Sequence, residues 1–343
     1  METRTAAPLR PGPRNALTDV AGLAVGCAED AAVRTGVTVI LPEESAVCAV
    51  DVRGGGPGTR ETDLLAPDTL VEKVDALVLA GGSAYGLAAA DGVAAALGAA
   101  GRGFCLVPRP GVPPTPIVPA AILYDLANGG DKSWGAAPPY ERLGRQALET
   151  IGETVPLGDA GAGYGAMAGQ LKGGQGTASI KLSDGGTVAA LAAVNSFGSV
   201  LMPGTDCFWA SPFEIDGEFG GVRPKKDIPP ASGLPDDTKL GAGPRENTTI
   251  ACVATDIGLA PAEAKRVAIM AQDGLSRAIR PCHAPTDGDV VFCLSTGARP
   301  MEGSAALAVL QIGNAAADCL ARAVARGVHE AGAAGFGTAW RAL

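Results

Sequence analysis

The stretch ENTTIACVATDIGL, residues 246–259, joins two regions of opposite character at the bond between Asn247 and Thr248. Before that bond, residues 215–247 are rich in proline, glycine and charge and have no hydrophobic period, which predicts a long exposed loop. After it, β-branched and apolar residues follow one another from Thr248, which is typical of a buried strand. A loop that leads Asn directly into Thr-Thr marks this bond as a candidate for self-cleavage.

Two interpretations of the Asn247–Thr248 junction remain open at this level. If the bond is cut, Thr248 carries its hydroxyl and a free α-amine on one residue. An α-amine has a pKa of about 7.7–8.0, so it can serve as the base that a weakly nucleophilic hydroxyl needs. The alternative is a plain loop-to-strand boundary, because Asn is common in turns and Thr in strands. Residue types and spacing alone favour the plain boundary.

Short strands and helices alternate along the rest of the chain. Hydrophobic periodicity and capping signals predict strands over 35–41, 46–52, 76–80 and 290–296, and helices over 83–99, 139–152, 261–279 and 304–331. These elements do not follow the regular rhythm of βαβ units. A layered α/β sandwich is therefore favoured over a doubly wound parallel sheet.

Composition narrows the functional classes. The 343 residues would by length suggest two domains, and a net charge of −9 argues against a general nucleic-acid binder. The two histidines, His283 and His329, are too few for a three-histidine metal site, and His283 is expected to be a structural loop residue. We expect neither a metal nor a cofactor. No phosphate-binding loop, G-x-S-x-G elbow or dinucleotide fingerprint occurs.

Cysteine usage and hydropathy bear on the compartment. The eight cysteines form no C-x-x-C pair, and Cys48, Cys252 and Cys293 lie in apolar runs, which favours reduced thiols in a cytoplasmic protein. The first twenty residues lack the apolar region of a signal peptide, and no stretch has 18 uninterrupted apolar residues. We therefore expect no signal peptide and no membrane partner.

Segments spread over nearly the whole chain carry a resemblance, through their order and spacing. They are NALTDVAGLAVG (15–26), TGVTVILP (35–42), VDVRGGGPGTRETDLL (50–65), LAGGSAYGLAAADGV (79–93), GDAGAGYGA (158–166), LKGGQGTAS (171–179), VNSFGSV (194–200), ENTTIACVATD (246–256) and GFGTAW (335–340). The chain resembles peptidase family S58, the self-cleaving N-terminal-nucleophile peptidases. This family includes L-aminopeptidase/D-esterase, the β-peptidyl aminopeptidases and the 6-aminohexanoate-oligomer endo-hydrolases. The resemblance implies a four-layer α/β/β/α sandwich of the L-aminopeptidase/D-esterase type.

The resemblance assigns a role to each matching residue. Thr248 matches the nucleophile that self-cleavage exposes, and Asn195 matches an asparagine whose side-chain amide helps form the oxyanion hole. Lys172, in LKGG, matches a lysine near the nucleophile that would hold down the pKa of the Thr248 amine. Taken singly, Asn195 could also cap a strand end and Lys172 could be a solvated loop charge.

The acidic pair and the substrate pocket come from the same resemblance. Asp287 and Asp289 match the acidic pair of the threonine branch and would position the nucleophile's amine and relay a proton; a plain turn is the alternative. The aminopeptidase branch has a serine and a glutamate there and a serine nucleophile. Tyr124, in AILYDL, matches a tyrosine that lines the substrate pocket.

For the whole molecule, the resemblance implies one hydrolase domain over residues 1–343 that cuts itself into an α chain, 1–247, and a β chain, 248–343. Homo-oligomers of such αβ units would hydrolyse small amine-bearing peptides, amides or esters, most simply as an aminopeptidase. Three alternatives stay open: a nylon-oligomer-type endo-amidase, acyl transfer of the ornithine acetyltransferase type, and an uncleaved, non-enzymatic binding protein.

Overall fold

The computed structural model of the chain describes residues 9–224, 233–234, 236–239, 247–332 and 336–343. The strands are β1 (Leu23–Asp30), β2 (Thr35–Pro42), β3 (Ala46–Val52), β4 (Thr59–Arg60), β5 (Lys73–Val74), β6 (Leu77–Ala80), β7 (Ala120–Ile122), β8 (Met167–Ala168), β9 (Leu171–Lys172), β10 (Gly174–Lys181), β11 (Thr187–Asn195), β12 (Thr248–Ile257) and β13 (Val290–Arg299). The helices are α1 (Ala88–Ala99), α2 (Tyr140–Glu149), α3 (Pro261–Ala278) and α4 (Ala305–Glu330).

Most of these strands belong to two sheets. Within the described residues, one sheet has the order β1-β2-β6-β7-β4 and the other the order β10-β11-β12-β13-β3-β5, while β8 and β9 form a separate hairpin. Neighbouring strands run antiparallel except for the pairs β6–β7 and β12–β13. A parallel pair needs a crossover connection, and α3 supplies it between β12 and β13.

Three hydrophobic cores separate four layers. The side chains of β12 show the division, because Ala251 and Val253 lie in the core under α3 and α4, whereas Ile250 and Cys252 lie in the core between the two sheets. This alternation is the period of two that a strand buried on both faces requires. A third core packs α1 and α2 on the outer face of the other sheet. The predicted α/β/β/α sandwich is confirmed.

The long helix α4 packs, together with α3, on the outer face of the sheet that contains β12. It matches the length and hydropathy of a membrane span, with a mean hydropathy of 1.2, but 72% of that window is buried inside the fold. Small residues allow this close approach: a Cβ atom at Gly176 of β10 would collide with the carbonyl oxygen of Ala323 in α4. The apolar character of α4 is thus explained by its packing on the sheet.

Two residues anchor the segment before Thr248 to the rest of the fold. Residues 225–232, 235 and 240–246 lie outside the described residues, but Phe219 is only 1% exposed and Glu218 accepts a hydrogen bond from Arg322 at 2.9 Å. The fully buried Arg322 guanidinium needs an anion, and Glu218 supplies it across 104 positions of sequence. Residues 215–224 therefore form the predicted loop and are mostly exposed, but Glu218 and Phe219 anchor it to the fold.

The start of the first helix also differs. The sequence predicts a helix from residue 83, but residues Ser83–Leu87 form a 3-10 helix and α1 begins at Ala88. Gly82 lies before that turn with φ +85°, a conformation that favours glycine. The chain therefore enters the helix through a glycine turn instead of a side-chain cap.

Candidate active site

Thr248 is the first residue of β12, and the neighbouring strands bring the other candidate residues to the same edge of the sheet. In the antiparallel pairing with β11, Thr248 lies directly opposite Asn195, the last residue of that strand. On the other side, Asn247 forms a parallel bridge with Asp287, just before β13. The pairing of three strands thus places a hydroxyl, an amide and a carboxylate close together.

The Thr248 hydroxyl points at the bond that precedes it. The side chain is 3% exposed, and its Oγ1 donates a hydrogen bond to the carbonyl oxygen of Asn247. The same carbonyl oxygen accepts a hydrogen bond from the backbone N–H of Gly288 at 3.0 Å. The carbonyl next to the Thr248 hydroxyl is therefore polarised by a backbone donor, an arrangement that would favour attack by a nucleophile.

Gly288 allows the acidic loop to approach the threonine. A Cβ atom at this position would lie 2.7 Å from Thr248 Oγ1, closer than side-chain atoms tolerate. Gly54, which follows β3, makes room for the same loop, because a Cβ atom there would collide with the Asp287 carbonyl oxygen and the Asp289 N–H. The glycines therefore make room for the backbone of residues 287–289 between two strands.

Backbone donors hold both carboxylates of the acidic pair. Asp289 Oδ1 accepts from the N–H of Thr249 at 2.8 Å, and Asp287 accepts from the N–H groups of Ala284 at 2.8 Å and Phe197 at 3.3 Å. Burial and the neighbouring Asp289 charge raise the pKa of Asp287 to about 6, despite those two hydrogen bonds. Asp287 can therefore exchange a proton near neutral pH.

Hydrogen bonds fix the Asn195 amide in one orientation. Its Nδ2 donates to the carbonyl oxygen of Tyr124 at 2.9 Å, and its Oδ1 accepts from the N–H of Met167 at 2.9 Å and from Lys239 Nζ at 3.0 Å. The amide nitrogen side therefore faces the strand end where Tyr124 lies. A donor group held rigidly in this way is suited to stabilising developing negative charge.

Lys172 is buried in a pocket of its own. Its ammonium lies 3.0 Å from Asp159 Oδ1 and donates to the carbonyl oxygens of Gly173 at 2.7 Å and Gly163 at 3.4 Å. Burial lowers the pKa of Lys172, although the Asp159 charge opposes this. The described contacts of this ammonium do not include Thr248. Lys172 does pair with Met167 in the β8–β9 hairpin, and Met167 in turn contacts Asn195.

Sequence reasoning missed two residues here. Lys239, from the segment predicted to be a loop, contacts both the Oδ1 and, at 3.2 Å, the carbonyl oxygen of Asn195. His283, expected to be a structural loop residue, bonds Asp289 at 2.8 Å through its Nδ1. In the stretch HAPTDGD, His283 lies only six positions before Asp289, and this short separation could have pointed to a contact between them. Lys239 lies 44 positions from Asn195, and no sequence pattern connects them.

A small cleft opens beside Asn195. Its volume is about 140 Å³, and its lining includes Tyr124, Asp125, Asn128, Met167, Asn195 and Lys239. Burial raises the pKa of Asp125 to about 6, partly offset by hydrogen bonds from Thr35 and Gly82. Larger cavities of about 520 and 370 Å³ lie elsewhere, lined by residues such as Leu9 and Leu70 respectively. The cleft that contains predicted residues Tyr124 and Asn195 is the candidate substrate pocket. Among the described residues, no group of three metal-ligating side chains converges.

Comparisons with known proteins show the family of this chain. The sequence profile described as Peptidase family S58 matches residues 15–338. An uncharacterized aminopeptidase of Mycobacterium tuberculosis is 48% identical over 336 residues, which cover 92% of this chain and 94% of that protein. The 6-aminohexanoate-oligomer endohydrolase of Paenarthrobacter ureafaciens is 32% identical over 306 residues, covering 84% and 78%.

Solved structures show the same fold at lower sequence identity. A β-aminopeptidase of Burkholderia sp. superposes with a TM-score of 0.67 at 22% identity, covering 94% of this chain and 89% of that one. The L-aminopeptidase D-Ala-esterase/amidase of Ochrobactrum anthropi, described as a variant of the Ntn-hydrolase fold, gives a TM-score of 0.67 at 22% identity, covering 95% and 89%.

Proposed function

The chain belongs to peptidase family S58 and is an aminopeptidase-type hydrolase of peptide and amide bonds, and from this premise we propose that Thr248 is its nucleophile, exposed by self-cleavage after Asn247. One observation carries the proposal: the Thr248 hydroxyl donates to the carbonyl oxygen of Asn247 inside a buried site. A threonine in a plain loop-to-strand boundary has no need of such a contact or of a neighbouring glycine that makes room for it.

Self-cleavage proceeds by an N→O acyl shift followed by hydrolysis. Thr248 Oγ1 attacks the carbonyl carbon of Asn247, the C–N bond breaks, and the hydroxyl proton passes to the departing nitrogen, which becomes the α-amine of Thr248. Water then hydrolyses the ester and leaves a carboxylate on Asn247. The proton transfers need a group that titrates near neutral pH, and Asp287, whose pKa burial raises to about 6, is suited to this. The products are residues 1–247 and 248–343.

Turnover uses the same hydroxyl with the new amine as its base. The amine accepts the hydroxyl proton as Oγ1 attacks a substrate carbonyl, and it protonates the leaving amine when the acyl-enzyme forms. Water then releases the acid product and regenerates Thr248. Asn195 would donate its amide N–H to the oxyanion, and Asp289, through the N–H of Thr249, would hold the start of β12 in place.

Lys172 enters this proposal as a positioning residue. Its ammonium is satisfied by Asp159 and two carbonyl oxygens, and its strand partner Met167 holds the Oδ1 of Asn195. Lys172 would thus stabilise the β8–β9 hairpin on which the orientation of the Asn195 amide depends. A direct influence of its charge on the Thr248 amine remains the prediction of the sequence resemblance.

The substrates are proposed to be small amine-bearing peptides, amides or esters that reach Thr248 through the cleft beside Tyr124. An endo-amidase acting on 6-aminohexanoate oligomers is the second candidate, and the 32% identity to an enzyme of that name favours it. We further propose that the protein works in the cytoplasm as a homo-oligomer of αβ units, and the free thiols of all eight cysteines support a reducing compartment.

The test of the proposed nucleophile is turnover of aminoacyl p-nitroanilides, with mass spectrometry of the protein during turnover. We expect wild-type protein to release nitroaniline and to carry the transient acyl mass on the fragment 248–343. Thr248→Ala should lose both signals, since it removes the attacking oxygen. Equal hydrolysis by wild type and Thr248→Ala would contradict the proposal. Transfer of the acyl group to an added amine instead of water would favour the acyltransferase alternative.

A further inference from the structure

His283 makes two hydrogen bonds to one oxygen of Asp289. Its ring Nδ1 lies 2.8 Å from Asp289 Oδ2, and its backbone N–H donates to the same oxygen at 3.1 Å. The backbone of His283 adopts φ +57°, which is uncommon for a residue other than glycine. This conformation turns the ring and the N–H toward the same acceptor. The loop therefore retains an unfavourable backbone conformation that serves to hold Asp289.

The other oxygen of Asp289 holds the strand that begins at the nucleophile. Asp289 Oδ1 accepts from the N–H of Thr249 at 2.8 Å, so the contacts run from His283 through Asp289 to the residue after Thr248. The Asp289 side chain is 2% exposed, whereas the His283 ring is 22% exposed and forms the outer end of this chain. Loss of the ring contact would leave a buried carboxylate with less support.

The charge of His283 also acts on the two carboxylates Asp287 and Asp289. Burial disfavours the charged ring, but hydrogen bonds to Asp289 and Cys282 outweigh this and raise the pKa of His283 to about 10. The groups that face this site are Asp287 on the same loop, Cys282 beside the ring and Lys239, whose charge acts on Asp287. From α3, the Ser276 hydroxyl meets Cys282 at 3.3 Å. An imidazolium would thus offset one of two adjacent carboxylates.

We propose that His283 is a positioning residue that, as an imidazolium, fixes and neutralises Asp289, so that the N–H of Thr249 keeps its anchor and Asp287 is the carboxyl of the pair that exchanges protons. This inference rests on the proposed function, because the reaction it supports is the self-cleavage at Thr248. Removal of the positive charge makes deprotonation of Asp287 harder. The fall of the cleavage rate at low pH, the acidic limb of the pH profile, therefore moves to higher pH.

The first experiment measures self-cleavage against pH in His283→Leu and His283→Gln. We expect His283→Leu, which loses both the donor and the charge of the ring, to slow cleavage about tenfold. His283→Gln keeps a side-chain donor and should cleave faster than His283→Leu, with its acidic limb shifted to higher pH. The other histidine provides the control: His329, bonded to Glu330 at 2.8 Å, lies at the end of α4, and His329→Gln should leave the profile unchanged. An unshifted profile in both His283 variants would overturn the proposal.

The second experiment does not depend on cleavage. In the Thr248→Ala chain, the pH dependence of the imidazole NMR chemical shifts of the two labelled histidines would follow their titration. We expect the His283 ring to stay protonated well above the ordinary pKa of about 6.5, and Asp289→Asn to bring it back toward that value. Titration of His283 near 6.5 in the Asp289-containing chain would overturn the proposal. A wild type that never cleaves would instead contradict the proposed function, whatever this titration shows.

Discussion

Two buried polar clusters of this molecule differ in how well their polar groups are satisfied. The Arg322 cluster comprises Asn15, Ser179, Glu218 and Arg322, and the Thr248 cluster comprises Asn195, Asn247, Thr248, Asp287 and Asp289. In the first, Arg322 Nε, Nη1 and Nη2 each have an acceptor, with Ser179 O at 2.8 Å and Asn15 Oδ1 at 2.9 Å among them. In the second, both side-chain polar atoms of Asn247 have no hydrogen-bond partner among the described residues.

The difference separates a cluster that stabilises the fold from the cluster proposed to carry out the reaction. Each nitrogen of the buried Arg322 guanidinium has an acceptor and a carboxylate lies beside it, so removing one partner would leave a buried charge without compensation. The Thr248 cluster contains two adjacent carboxylates, a polarised carbonyl and unsatisfied amide atoms, which together are costly to bury. Such cost is typical of functional sites, where stability is given up for chemistry.

The Arg322 cluster also crosses the proposed cleavage site. Asn15, Ser179 and Glu218 belong to the part before Thr248, and Arg322 belongs to the part after it. Together with β12, which lies between β11 and β13, these bonds would keep the two fragments in one folded unit after cleavage. The Arg322 cluster thus holds the fold together, and the Thr248 cluster is the one proposed to carry out the reaction.

The largest expected effect is on stability, from the Arg322 cluster. Arg322→Met removes the two hydrogen bonds of Arg322 to Glu218 and leaves the more distant Arg326, at 3.5 Å, as the cation beside it, and we expect a loss of about 3–5 kcal/mol in the free energy of unfolding. Urea denaturation of the variant would measure it, with Arg266→Met, which alters an exposed arginine of α3, as control. Cleavage at Asn247 should continue in the folded fraction. A variant that stays folded but uncut would show that the two clusters are not independent.

The next effect is on rate, from the Thr248 cluster. Asn195→Ala removes the proposed oxyanion donor, and we expect kcat of amide hydrolysis to fall about 10²–10³-fold with little change in KM. Steady-state kinetics would test this, and Asn314→Ala, on the exposed face of α4, is the matched control. An effect confined to KM would argue that Asn195 only holds the cleft in shape. A similar fall in the control would show that the loss is not specific to Asn195.

The smallest effect is a gain in stability at the Thr248 cluster. The pKa of Asp287 is raised from 3.8 to about 6 in the fold, so the folded chain binds this proton more tightly than the unfolded chain. Stability from this group is present below pH 3.8 and is lost as pH rises through about 6. Asp287→Asn in the uncut Thr248→Ala chain should therefore raise the free energy of unfolding by about 1–3 kcal/mol at pH 8.

That advantage should shrink as pH falls to 5, where Asp287 is largely protonated in the fold. Urea denaturation of the two uncut chains at both pH values would measure the change. An Asp287→Asn variant less stable than its parent at pH 8 would remove the distinction between the two clusters, since Asp287 would then stabilise the fold as Glu218 does.

Local pattern predicted much of this molecule. The ten residues of β12 are all buried, as their continuous β-branched and apolar character indicates, and α3 and α4 end within one residue of the predicted bounds. The motif resemblance predicted Thr248, Asn195, Asp287 and Asp289 as site residues, and their proximity follows from the pairing of β12 with its neighbours. Strand pairing brings together residues that lie at equivalent strand ends, so this part of the site could be read from the sequence.

Contacts between irregular segments could not be predicted in this way. Glu218 contacts Arg322 and Lys239 contacts Asn195, and both Glu218 and Lys239 lie in the segment before Thr248 that has neither period nor motif. Their positions depend on which buried charge needs a partner, and that is known only when the fold is known. The ammonium of Lys172, assigned near Thr248 by resemblance, is directed to Asp159 by the same need.

The most direct measurement of the central claim is the intact mass of freshly purified wild type, Thr248→Ala and Thr249→Val. Thr249→Val removes only a neighbouring hydroxyl, whose oxygen has no hydrogen-bond partner among the described residues, and keeps the N–H that Asp289 holds. Wild type and Thr249→Val should each give two fragments, and the smaller fragment should begin at Thr248 in both. Thr248→Ala should give one uncut chain. A wild type that stays a single chain, or a Thr248→Ala chain cut at the same bond, would contradict the account.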